Sequence, residues 1–205
     1  MAEIAETIEA KTQIKTKKRS VDTWKKKKWF AVISPKLIGE KQIEETVAEK
    51  PEQLINRIIS PTVRDLGGNP KKSFYNLDFR VFEVQGLKAN TKLAGHQLKP
   101  SFLKRFIRRR SSKIELTQYV ASKDNAKVKV KTVVITERKT PEEKRTAIRK
   151  EVMEIIEKEA RKLEAEKLVY ELVFGETIAK ISKAIKNIAL IKKIEIVQSK
   201  VIEGK

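Results

Sequence analysis

Residues 102–110, FLKRFIRRR, set five basic side chains among four large apolar ones. Guanidinium and ammonium groups at that density can recognise phosphate, arginine as a planar fork of donors and lysine as a mobile point charge. At 100° per residue, Phe102, Leu103, Phe106 and Ile107 fall within an arc of about 140°. Lys104, Arg105, Arg108 and Arg109 occupy most of the rest, with Arg110 at the end. The spacing predicts a short helix over 101–110, with Ser101 as N-cap and the arginines at the negative end of the helix dipole. Such a helix is pinned by its apolar side and shows a cationic side to solvent or to a polyanion.

A second pattern has strand period. In AKVKVKTVVITE, Lys127, Lys129 and Lys131 share one face, and Ala126, Val128 and Val130 share the other. Alternate residues rise about 6.6–6.8 Å along a strand, close to the separation of neighbouring phosphates on a nucleic-acid backbone. The same ladder is also what the polar face of a half-exposed sheet or a protected edge strand looks like. From 99 to 131 there are eleven bases and two acids.

Two further groups lie upstream. Residues 11–28 hold nine bases and one acid, with Lys17, Lys18 and Arg19 adjacent. This stretch has no apolar period and little to bury, so residues 1–23 read as a flexible basic arm that orders on a polyanion. Lys25, Lys26, Lys27 and Lys28 then stand between Trp24 and Trp29. Four consecutive lysines must meet solvent or phosphate. The tryptophans could stack on bases, although Trp29, which opens an apolar run, reads better as the edge of a core.

The whole chain agrees in sign. Its 205 residues carry 47 Lys and Arg against 27 Asp and Glu, a formal charge of +20. That excess opposes compaction unless a polyanion neutralises it, and it favours phosphate-rich partners through counterion release. An anionic membrane is the competing partner. However, there is no apolar run of 18 residues and no long basic amphipathic helix with aromatics on its apolar face, so no membrane is expected. The first ten residues hold three acids and no base, unlike a secretory signal.

Catalytic groupings are scarce. There is no Cys, which excludes disulfides and thiolate metal sites. His96 is the only histidine, in TKLAGHQLK, and it reads as structural because nothing nearby supplies a nucleophile or ligand set. Neither a GxxxxGK[ST] loop nor a GxGxxG turn occurs. Asp65, Asp78 and Glu83 are the acids that folding could bring together for metal chemistry. The expectation is a protein that is not an enzyme, with no cofactor, no metal and no small-molecule substrate.

The elements that must position these cations follow from period and punctuation. Strands are expected near 29–33, 53–60, 79–85, 91–98, 113–121, 126–137 and 192–202, with KDN as the hairpin turn between the fifth and sixth. PKLIGEKQIEETVAEKPEQL reads as loop or short helix. The remaining helices fall within 141–187. Thr140 is the expected N-cap with Glu143 closing a capping box, the buried stripe is Ile148, Val152, Ile155, Ile156 and Leu163, and Gly175 is a stop. Ile178, Ile181, Ile185 and Ile188 mark a last helix. The fold class is α+β: a mostly antiparallel, twisted or barrel-like sheet packed by C-terminal helices, with the N-terminal arm over 1–23 and a single domain over 24–205. Only 6% of residues are aromatic, mostly at core-like positions, which suits backbone-directed binding better than single-strand reading.

The order KKWFAVISPKLIG, LINRIISPTVRDL, TKLAGHQLK, AIRKEVMEII and LIKKIEIVQSKV resembles a small-subunit ribosomal protein family of archaea and eukaryotes, the S-three-A-e family, over residues 20–203. Its signature, Leu-x-Gly/His-Arg-Ile/Val-x-Glu-x-Ser/Cys-Leu-x-Asp-Leu, falls on 54–66. Leu54, Arg57, Ile58, Asp65 and Leu66 agree, while Asn56, Ser60, Thr62 and Val63 depart from it. The chain lacks eukaryote-like extensions, so the archaeal branch is the better match. The resemblance implies a cytoplasmic, non-enzymatic constituent of the small subunit. It would lie on the platform near the 3′ end of the rRNA, with rRNA, neighbouring ribosomal proteins and mRNA at the exit as partners. It adds Arg57 to the RNA-binding candidates. Composition alone leaves a free RNA chaperone or a DNA-compacting protein as alternatives.

Overall fold

Alternation of apolar and polar residues builds most of the sheet. A computed structural model describes residues 23–202, so Lys17, Lys18, Arg19 and the arm up to residue 22 lie outside the described residues. Eight strands and four α-helices are present among the described residues. The strands are β1 (Lys28–Ile33), β2 (Gln42–Ala48), β3 (Ile58–Ile59), β4 (Tyr75–Gln85), β5 (Lys88–Leu98), β6 (Lys113–Ala121), β7 (Lys127–Thr136) and β8 (Ile191–Ile202). The helices are α1 (Pro100–Lys104), α2 (Glu142–Ala160), α3 (Ala165–Phe174) and α4 (Thr177–Ile185). The expected α+β class holds.

The strand order is β2-β1-β5-β8-β7-β6, with β4 on β5 and β3 on β4. Every pairing is antiparallel except β1 with β5, which is parallel over Ala31–Ile33 and Lys88–Asn90. The sheet branches at β5. That strand pairs with β4 along nearly all its length, with β1 at its start, and with β8 at Gly95, His96 and Gln97. Gly95 makes the last junction possible, because a Cβ built there would overlap the Ser199 carbonyl oxygen.

Three apolar clusters fill the structure. The first joins Ile114, Leu116, Val128, Val130 and Ile196 of β6, β7 and β8 to Ile148, Val152 and Ile156 of α2, Leu168 and Leu172 of α3, and Ile181 and Ile185 of α4. The second gathers Tyr75, Leu77, Phe79, Leu93 and Leu98 with Leu103 of α1, Val133 and Ile135 of β7, and Val169 and Val173 of α3. Helix α3 therefore wedges between the two, and an element buried on several sides is apolar nearly all round. The third is small: Phe30, Ala48, Leu54, Val81 and Ala89. The predicted stripe of α2 is buried, with Ile155 and Leu163 partly covered at its margin.

Several expectations are corrected. The 53–60 strand is a 3₁₀ turn at Pro51–Leu54 followed by the two-residue β3. Asn56 has φ 67°, a left-handed conformation that interrupts an extended run; Leu54 is the fully buried residue of the run, and Ile59 is partly buried against the same cluster. Strand β2 was expected as loop or short helix. It pairs with β1 alone and fully buries only Ala48, so its sequence has no apolar alternation. The 101–110 helix stops at Lys104 and starts from Lys99 rather than Ser101. Arg108–Ser111 form a turn in which the Ser111 hydroxyl donates to the Arg108 carbonyl (2.6 Å) and Arg110 has φ 68°. Thr140 does not cap α2. Its hydroxyl donates to the Arg138 carbonyl (3.1 Å), and Pro141 occupies the cap position. Glu142, not Glu143, organises the first turn by accepting from Arg145 and Arg149, both at 2.9 Å. The 141–187 segment is three helices: the stop at Gly175 is as expected, while the break at 161–164 interrupts the stripe that was read through Leu163.

Candidate nucleic-acid interface

The ladder on β7 forms as its period requires. Val128 and Val130 are buried, while Lys127 is exposed and Lys129 and Lys131 are half-buried on the opposite face. Because β7 is bonded to β6 on one side and β8 on the other, the edge-protection reading of these lysines does not hold. Register places neighbours on the same face: Tyr119, Lys129 and Lys200 in one row, Thr117, Lys131 and Gln198 in the next, and Ala121, Lys127 and Ile202 in a third. The Lys131 ammonium lies 3.4 Å from Glu115, which Lys113 also contacts. Hydrogen bonding from Lys113 is the main influence holding the Glu115 carboxyl below its ordinary range.

The same face carries the basic turn at its other end. Val133 and Ile135 continue the ladder's side of β7, and there they pack under Leu103, with Phe102 and Phe106 at the margin. Lys192 Nζ donates to the Phe106 carbonyl (3.2 Å), and Lys193 Nζ stands 5.7 Å from the Phe106 ring. Leu103 is buried and Phe102 and Phe106 are partly buried, but Ile107 is 38% exposed and does not help anchor the segment. Lys104, Arg105, Arg108, Arg109 and Arg110 are all exposed. The Arg105 guanidinium covers Phe74 at 4.7 Å and Phe102 at 5.0 Å, so it is partly committed to packing. Helix and ladder therefore meet on one side of β7, which sequence spacing alone did not show.

The remaining candidates are scattered. Lys25, Lys26, Lys27 and Lys28 are exposed at the start of β1, with Lys27 Nζ 4.5 Å over the Trp24 ring. Trp29 is 61% exposed and is not a core residue, because β1 turns Phe30 and Val32 inward and Trp29 outward. Arg57 is used inside the fold: its guanidinium donates to Thr46 Oγ1 (2.7 Å) and the Val47 carbonyl (3.2 Å) of β2. Sequence reasoning missed Tyr119, which is 65% exposed, and Lys200. Alternation in KIELTQYVA already separates Tyr119 from Ile114, Leu116 and Val120, but only the β7–β8 register sets Lys200 beside Lys129.

The acids considered for metal chemistry are engaged otherwise. Asp65 accepts from the Thr62 hydroxyl (2.6 Å) and amide (3.0 Å), and those bonds hold its carboxyl below the ordinary range. Ser60 Oγ donates to Asp78 at 2.5 Å. Among the described residues no three His, Asp or Glu side chains are grouped to hold a metal ion.

His96 is a fully buried joint between β5 and β8. Its Nε2 is 3.0 Å from the Ile196 carbonyl oxygen, so that nitrogen carries the proton and donates, while Nδ1 accepts from the Ser199 hydroxyl at 2.6 Å. Burial pushes the imidazole from its ordinary 6.5 down to about 4. The native ring stays neutral in that window while the unfolded chain takes up a proton, so stability falls as pH drops below 6.5. The loss between pH 7 and 5 should be about 2 kcal/mol, above the range where most carboxylates titrate. Urea unfolding at the two pH values checks this. His96→Gln should flatten the difference, and an unchanged pH dependence in that variant would contradict the assignment.

The described residues form an α+β fold with a cationic patch on one face of its sheet. Among the described residues no helix is long and apolar enough to cross a membrane. Residues 15–205 match the Ribosomal S3Ae family. The chain is 34% identical over 190 residues to small ribosomal subunit protein eS1 of Methanothermobacter thermautotrophicus, covering 92% of this chain and 97% of that one. It is 36% and 37% identical over 182 residues to the proteins of the same name from Saccharolobus islandicus and Saccharolobus solfataricus, covering 89% of this chain and 88% of each relative. The chain belongs to the ribosomal S3Ae family.

Proposed function

We propose that this protein is a non-enzymatic structural constituent of the archaeal-type small ribosomal subunit. In this reading it sits in the cytoplasm on the subunit platform, near the rRNA 3′ end and the mRNA exit, and binds rRNA and neighbouring ribosomal proteins through one domain, residues 24–205, and a basic arm, residues 1–23. Family membership supports the ribosomal role. The observation that carries RNA binding is the joining of the 104–110 segment and the β7 ladder on one side of the sheet. Lys127, Lys200, Arg108, Arg109 and Arg110 make no side-chain ion pair among the described residues. Along α2, by contrast, several cations have acidic partners: Arg145 and Arg149 share Glu142, Lys158 meets Glu154, and Arg161, just past the helix end, meets Glu157. Unbalanced cations bind phosphate with release of counterions.

The free protein should bind structured RNA with little sequence preference. If about six phosphates are neutralised, log K against log salt should have a slope near −4 to −5. Filter binding across a salt series measures it, and a flat response would count against phosphate-led binding. A free RNA chaperone would give the same slope but would not stay with the subunit.

A further inference from the structure

Among the described residues Tyr119 is the most exposed of the large hydrophobic side chains, at 65%. One exposed aromatic needs no explanation by itself. Its surroundings supply one. Its row across the sheet runs Tyr119, Lys129, Lys200, Gly95, and the rows on either side run Ala121, Lys127, Ile202 and Thr117, Lys131, Gln198, Gln97. Across β6, β7 and β8 these rows hold four lysines and no carboxylate; the first row reaches Asp78 only on β4, beyond Gly95, and Lys131 is shared with Glu115 of the adjoining row. Lys129 Nζ lies 5.9 Å from the Tyr119 ring centroid, so a phosphate held by Lys129 would sit within one nucleotide of a base on that ring. Gly95, tightly packed against Ser199, adds no side chain to the row, which keeps the face low beside Lys200.

We propose that Tyr119 is a stacking platform for an unpaired RNA base, with Lys127, Lys129, Lys131 and Lys200 holding the flanking phosphates. The inference rests on the RNA-binding reading above and adds to it a single-stranded segment as the ligand of this face. An aromatic ring with cations along a strand suits bases that have left a helix, since a paired base offers no free ring face. A wholly paired duplex would use the same lysines and leave Tyr119 untouched.

The test uses the full chain and two labelled probes of about 10 nucleotides or base pairs, an oligouridine and a fully paired RNA duplex, at one salt concentration. Tyr119→Ala should weaken oligouridine binding about 5- to 100-fold and leave duplex binding unchanged, and Tyr119→Phe should stay within about 2-fold of wild type on both. Tyr119→Thr, which keeps a strand-forming residue, should behave as Tyr119→Ala and guards against a folding artefact. Unchanged oligouridine binding in Ala and Thr variants, an equal loss on the duplex, or an equal loss in the Phe variant would overturn the stacking role. The combined Lys127→Gln, Lys129→Gln and Lys200→Gln variant separates the two readings. If it weakens both probes while the Tyr119 variants weaken neither, phosphate binding stands and stacking fails. If wild type binds neither probe, both fail.

Discussion

Gly95→Ala is expected to lower the unfolding free energy by about 3 kcal/mol, the upper part of the range for an overpacked site. The added methyl would meet the Ser199 carbonyl oxygen and the Lys200 backbone, not a mobile side chain. Relief requires β5 and β8 to part at Gly95–Gln97, the only segment where they pair. That would also pull Ser199 from His96 Nδ1. Gly175→Ala is the control. There the clash is with the Glu171 carboxylate, the far end of a flexible side chain, which can swing away at the loss of its bond from the Glu176 amide (3.0 Å). Its cost should be about 1 kcal/mol, one modest hydrogen bond. Denaturant titration of both variants checks the ranking, and equal costs would mean that β5 and β8 are not packed as described.

Removing the cations of one face should have the largest effect on binding. Arg108, Arg109 and Arg110 together with Lys127, Lys129 and Lys200, all changed to Gln, should cut RNA affinity at low salt by about 10³-fold and bring the salt slope toward zero. Arg105 is left in place because its guanidinium lies on Phe74 and Phe102, and its loss would confuse binding with stability. The six chosen side chains make no ion pair among the described residues, so melting should be unchanged or slightly raised by relief of repulsion. Native affinity and slope in this folded variant would leave the face as solvated surface.

Legibility in the sequence tracked how local the cause was. Strand β6 and the first half of β7 bury one face and alternate, the second half of β7 is buried on both faces and shows as the apolar run TVVIT, and these signals marked both strands within a residue or two. Strand β2 was invisible because it is held by backbone bonds to β1, and its exposed glutamates and glutamine have no reason to alternate with apolar residues. The basic helix was overextended because four apolar residues at helical spacing promised an anchor, and Ile107 found no cover. Trp29 was misplaced for a related reason: which face of β1 points inward depends on Ala89 and Leu54, distant in sequence. Cations of the candidate face were legible one by one. Their convergence, and Tyr119 and Lys200 among them, rests on the register of β6 and β8 against β7, which no local pattern encodes.

The central claim is that the protein is held in the small subunit by RNA contacts through the face of β7. The direct measurement is sedimentation of small subunits assembled with wild-type or the six-substitution variant, before and after a high-salt wash. Wild type should remain with the subunit through the wash, while the variant, folded by its melting curve, is absent or released at much lower salt. Retention of the variant equal to wild type, or recovery of wild type in the soluble fraction at every salt concentration, would contradict the account.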